Sequence, residues 1–133
     1  MEEIVLIARE WKTRALITAQ LSEEGYEVMA LRTVEEAVVL LDRGMVRPRL
    51  IVLDTIGQSL KEAILADLQA LTDDVPILVC TGPFDLTQFD FEGAGFTDLL
   101  IRPFAVGDVV DAVREILGNE ATRNTSERRC QTC

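Results

Sequence analysis

The chain has no histidine. It therefore has no side chain whose ordinary pKa lies near neutrality, no phosphohistidine relay of its own and no imidazole metal ligand. No apolar run approaches the roughly 18 residues of a membrane-spanning helix, so no span is expected. Met1-Glu2-Glu3 leads straight into an apolar stretch, without the basic start and small-residue cleavage site of a secretory signal. A cytoplasmic location is the expectation. Bases are few, 13 against 23 acids, for a net charge of −10. The segment from Glu120 onward is slightly basic, with Arg123, Arg128 and Arg129 against Glu120 and Glu127, so the rest is the acidic part. Such a surface repels phosphate backbones, which argues against nucleic-acid binding, and it also serves plain solubility. There is no Gly-rich phosphate loop after the first strand, no nucleophile beside a base and no cofactor motif. An enzyme is not expected.

What is present is a globular sequence. Hydrophobic residues make up 48% of 133. A chain this long buries roughly two thirds of its unfolded surface and needs neither disulfide nor metal to fold. One domain over 1–118 is expected, followed by a disordered polar tail over 119–133. The tail ends in Cys130-Gln131-Thr132-Cys133, a spacing seen in metal half-sites and redox pairs, although no second pair accompanies it. Cys80 falls inside an apolar run and reads as a small buried hydrophobe.

Period defines the elements. Ile4–Ile7 is all apolar, as in a strand buried on both faces. A helix follows over about 11–24, stopped by Gly25. Tyr26, Val28 and Ala30 alternate with Glu27 and Met29 in a second strand. Thr33-Val34-Glu35-Glu36 is a capping box opening a helix to about Arg43. Leu50–Leu53 is the third strand. Ser59-Leu60-Lys61-Glu62 is a second box, predicting a helix with Leu60, Ala63, Ile64, Leu68 and Leu71 inward. Ile77–Cys80 is the fourth strand, Asp85–Glu92 a short helix, Leu99–Ile101 the fifth strand and Val106–Leu117 the last helix. Strands alternating with helices predict an α/β fold, a doubly wound parallel sheet of the flavodoxin-like kind. Ligands gather at the carboxyl ends of such strands. The residues there are Ala8, Arg9, Glu10, Asp54, Thr55, Thr81, Gly82, Arg102 and Pro103.

Four segments then carry a resemblance. Ile4–Ile7 with Ala8-Arg9-Glu10, Leu50–Leu53 with Asp54, Pro76–Cys80 with Thr81-Gly82, and Gly95 through Arg102-Pro103-Phe104 are similar in pattern and spacing to the receiver domain of bacterial response regulators, over about residues 3–118. The resemblance implies five helices about a five-stranded sheet of order 2-1-3-4-5. It implies that Asp54 stands at the phospho-acceptor position and Thr81 at its hydroxyl partner. It also implies a signalling partner, either a kinase or an output domain, or self-association through the fourth-helix and fifth-strand face.

The departures lie at the site itself. The family has two acids after strand one, which hold Mg²⁺ together with the acceptor; this chain has Ala8 and Arg9. The family lysine is Arg102, and the switch aromatic is Leu99. The corresponding positions Ala8, Arg9, Asp54 and Arg102 carry two positive charges and one negative. Even with Glu10 nearby, that is a poor site for a hard dication, so Mg²⁺ is expected to be absent or weak and no cofactor is expected. Asp54 is then expected to pair with Arg9 and Arg102, or to serve as a loop cap. Phe84, Phe89, Phe91 and Phe96 crowd the fourth-helix segment, either as a contact surface or as core beneath Leu86 and Leu100. The leading expectation is an atypical receiver, a pseudo-receiver, that works as a phosphorylation-independent interaction module. The alternative is a receiver still phosphorylated on Asp54 by a metal-poor mechanism. A small-ligand or enzymatic use of the sheet is the third class.

Overall fold

Ile4–Ile7 (β1), Leu50–Asp54 (β3) and Ile77–Thr81 (β4) are buried along their whole length. Their continuous apolar runs fit only the middle of a sheet covered on both faces. The flanking strands are Val28–Leu31 (β2) and Asp98–Ile101 (β5), both only half-buried. All pair in parallel, in the order β2-β1-β3-β4-β5. This computed structural model describes residues 3–72, 74–96 and 98–118. The expected tail over 119–133, with Cys130 and Cys133, lies outside the described residues. No helix among the described residues is long and apolar enough to cross a membrane.

Among the described residues, five helices connect and cover the strands: Trp11–Glu23 (α1), Val34–Asp42 (α2), Glu62–Leu71 (α3), Pro83–Gln88 (α4) and the helix over 106–118 (α5). The strict alternation of each strand sorts the core into two clusters. Ile4, Leu6, Leu50, Val52, Leu78 and Cys80 face Ile17 and Leu21 of α1 and Val109 and Val113 of α5. Val5, Ile7, Ile51, Leu53, Ile77 and Val79 face Val34 and Ala37 of α2, Leu65 and Leu68 of α3, and the rings of Phe91 and Phe96.

Two helices start elsewhere than expected. Thr33 caps α2 as predicted, its Oγ1 accepting from Glu36 N at 3.2 Å. Ser59 does not cap α3; the N-cap is Lys61, with no side-chain bond. The residues before it are held in a turn instead. Gln58 N donates to Thr55 O at 3.1 Å, and the Gln58 amide donates to Arg32 O at 2.7 Å and accepts from Val34 N at 3.3 Å. Ile64 and Leu68 point inward as expected, joined by Leu65, while Ala63 and Leu71 are exposed. Helix α4 opens at Pro83, whose missing N–H is harmless at the first helical position. It stops at Gln88 because Phe89 is extended. The expected stretch to Glu92 is a turn closed by Gly93 N to Asp90 Oδ1 and Phe96 N to Phe91 O.

Candidate functional site

Sheet register brings the strand ends level. Ile7 pairs with Leu53, Asp54 with Cys80 and Thr81 with Ile101. Backbone bonds extend the ladder one residue further, from Ala8 N to Leu31 O, Thr55 N to Cys80 O and Arg102 N to Thr81 O. Asp54, Thr55, Thr81 and Arg102 are thereby fixed on the rim where ligands gather in such sheets.

Asp54 is only 3% exposed. Its Oδ2 accepts from Arg102 Nη2 at 2.7 Å, and its Oδ1 accepts from Ile56 N at 3.1 Å. The first contact is a charge-assisted pair; the second is a local turn in which the carboxylate caps its own loop. Pair and cap, weighed as alternatives from sequence, are both present on different oxygens. Arg102 lies with its Cζ 4.8 Å from the centre of the Phe104 ring, and its Nη1 is buried without an acceptor among the described residues. Pro103 follows through a cis peptide bond.

Arg9 does not join the pair. It is exposed, and its stem lies against Gly57, where an added Cβ would meet Arg9 Cγ at 3.0 Å. Gly57 has φ +76, a conformation that favours glycine. Room for the Arg9 stem over the β3–α3 turn draws the side chain away from the carboxylate. Ala8 is fully buried in the α1–α5 cluster. Glu10 is exposed and forms the N-cap of α1 without a side-chain bond. The Arg14 guanidinium, to which the sequence reading gave no role, holds this loop by donating to Ala8 O at 2.9 Å.

No three His, Cys, Asp or Glu side chains among the described residues are grouped so as to hold a metal ion. One carboxylate already bound to arginine, next to a buried methyl and an exposed guanidinium, does not fit Mg²⁺, which takes oxygen ligands.

Thr81 is fully buried and bonds to a residue whose part was not foreseen. Thr55 Oγ1 lies 2.9 Å from Thr81 Oγ1 and 2.6 Å from Asp85 Oδ2. One hydroxyl carries one proton, and an ionised carboxylate only accepts. Thr55 therefore donates to Asp85, and Thr81 donates to Thr55. The Thr81 proton is turned towards Thr55, not Asp54. Asp85 was not among the expected site residues. The signal for it was Gly82-Pro83, which starts α4 early enough to set Asp85 in the first turn, beside the strand ends.

Cys80, behind the site, has its thiol pushed up to about 12, chiefly by burial, then by the Asp54 charge, with Arg102 acting the other way. It is a core atom at neutral pH, not a nucleophile.

Comparison with solved structures places the fold. The chain superimposes on a response regulator receiver domain protein from Clostridium thermocellum with a TM-score of 0.74, at 18% identity, covering 92% of this chain and 98% of that one. The receiver domain of NtrX from Brucella abortus gives 0.68 at 24% identity, covering 86% and 98%. This is the receiver-domain fold. Not every structure that shares it is named for a receiver: one described as an adenylate cyclase from Rhodopirellula baltica matches with a TM-score of 0.76 at 17% identity, over 100% of both chains. No family model matches the sequence. Among curated proteins, the probable transcriptional regulator ycf27 of Porphyridium aerugineum is 27% identical over 117 residues, which is 87% of this chain and 48% of that protein. The chain thus spans about half the length of that relative.

Leu99, expected at the switch position of strand five, is half-buried against the α2–α3 cluster. The four phenylalanines separate. Phe84 is 74% exposed and Phe89 half-buried, whereas Phe91 and Phe96 are core at 2% each. The last two pack with Leu86 but not with Leu100, because alternation turns Leu100 to the opposite face of the sheet.

Proposed function

We propose that this domain acts in response-regulator signalling as an atypical receiver, a protein-interaction module whose α4–β5 face meets a signalling partner without phosphorylation of Asp54. One observation carries the reading: both Asp54 oxygens are already engaged, one by Arg102, in a carboxylate that is 3% exposed. An attacking carboxylate oxygen must be free and aligned with the phosphoryl donor, and the charge that builds up is ordinarily met by a metal. Here Arg102 takes the oxygen, and Ala8 and Arg9 stand where the metal-binding acids would be. The partner is a kinase or an output domain, and no catalysis is assigned to the domain itself. The α4–β5 face offers exposed Phe84 and Ile101, at 74% and 48%.

The second reading, a metal-poor phospho-acceptor, draws on the buried Nη1 of Arg102, a donor without an acceptor. An amide NMR titration separates the two, first with Mg²⁺ and then with beryllofluoride, which imitates a phosphoryl group on Asp54. The proposal expects no saturable shift at Arg9, Asp54, Thr81 or Arg102. Saturating shifts there with beryllofluoride would replace it with the phospho-switch.

A further inference from the structure

The short α4 leaves a cleft between α3 and the turn over 89–96. Its volume is about 330 Å³, with Leu65 and Ala66 on one wall and Phe89, Phe91 and Phe96 on the other. That lies within the range of about 300–1,000 Å³ common for binding sites. A second cleft of about 580 Å³ shares Glu62, Phe89, Asp90 and Phe91 with it and continues past Leu99 to Ile101. The two form one groove from α3 across α4 to the β5 edge.

The aromatic wall is preformed: half-buried Phe89 is its accessible ring, and Phe91 and Phe96 back it from the core. Phe89 and Phe91 lie 5.8 Å apart, and Phe91 meets Phe96 edge-on at 6.2 Å. Asp90 holds the turn, with Oδ1 accepting from Gly93 N at 3.0 Å and its carbonyl accepting from Ala94 N at 3.0 Å. A partner entering such a groove need not order it first.

The groove has a charge of one sign. Glu62, Asp90 and Glu92 line it, and no Lys or Arg among the described residues does. A second copy docking by two-fold symmetry would bring the same acids against themselves, which like-charge repulsion opposes. Nucleic acid is opposed for the same reason. An apolar floor with an acidic rim matches an amphipathic helix that carries apolar anchors at i, i+3 or i+4 and i+7 on one face, flanked by Lys or Arg.

We infer that this groove receives a basic amphipathic helix of a partner protein, with one apolar anchor in the α3 cleft and another along the β5 side. The inference rests on the proposed interaction role and specifies the partner's chemistry.

The test is an NMR titration of the full chain with two synthetic peptides that share Leu and Phe anchors at those positions, one with Lys and the other with Glu at the remaining sites. The Lys peptide is expected to give saturable shifts at Leu65, Ala66, Phe89 and Ile101, and the Glu peptide none. Replacing the surface acids together, Glu62→Lys with Glu92→Lys, should weaken the Lys peptide by about tenfold. Ala66→Trp, at an exposed position on α3, should fill the cleft and abolish binding while the circular dichroism spectrum stays unchanged. Equal binding of both peptides, or an unchanged affinity in the charge variant, would overturn the inference and leave the α4–β5 face standing. Shifts confined to Arg9, Asp54 and Arg102, or no shift with either peptide, would overturn the inference, and the former would also remove the interaction face.

Discussion

Arg102 Nη2 and Asp54 Oδ2 meet at 2.7 Å across the ends of β5 and β3, with side-chain exposures of 25% and 4%. Each compensates a charge that the fold has largely withdrawn from water. Replacing Asp54 with Ala strands the guanidinium and also removes the cap on Ile56 N. The expected loss is about 2–4 kcal/mol in urea unfolding, somewhat below a fully buried pair because Arg102 still reaches solvent. Asp54→Ala combined with Arg102→Met should lose less than Asp54→Ala alone. With Arg102→Met measured alone as well, a double loss equal to the sum of the two single losses would show that the pair carries no coupling.

Thr55 links β4 to α4 through a single hydroxyl. Thr55→Val removes it with little change in shape and leaves the Thr81 hydroxyl, fully buried, without its acceptor. A loss of about 1–3 kcal/mol is expected. Thr81→Val in the same chain should recover part of it. A double-mutant cycle on denaturation midpoints reads the coupling.

The two capping boxes should separate cleanly in a thermal melt. Thr33→Ala removes a bond to the Glu36 amide and is expected to cost about 1 kcal/mol. Ser59→Ala removes none from α3 and should stay within about 0.5 kcal/mol of the parent.

Asp98 supplies the pH dependence. Its carboxyl is raised above the ordinary 3.8, first by burial and then by the charge of Glu115. A raised folded-state value means that its stabilising contribution is complete below the unfolded value and disappears as pH rises through the folded one. At neutral pH the ionised group therefore works against the fold. Asp98→Asn should stabilise at pH 7, by less than about 1 kcal/mol because solvent screens the site. The advantage should vanish once pH is well below 3.8. Paired urea titrations at both pH values measure it.

Sequence alone carried the architecture, because β1, β3 and β4 are apolar on both faces and such runs have one home in an α/β fold. It carried the rim for the same reason: strand ends lie where the runs end. It did not distinguish Arg9 from Arg102 as the partner of Asp54. That choice turns on the space above Gly57, which belongs to a different loop. Nor did it reveal that Ser59 is idle, since the bonds that claim the 55–58 turn come from Gln58 to residues 32 and 34, across two connections. The Phe segment was legible as crowded but not as divided. Burial of Phe91 and Phe96 depends on the chain turning at Phe89, and nothing in the helical pattern announces that turn.

The sheet sorts its side chains into two clusters on opposite faces, and that division separates duties. Everything proposed for recognition lies on the side of α2, α3 and α4. The α1 and α5 side shares only backbone with it. Substitutions along β3 should therefore fall into two interleaved classes, Ile51 and Leu53 felt at the binding groove and Leu50 and Val52 not. A dye or spin label at Leu16, exposed on α1, can report on the molecule from the side away from the proposed groove.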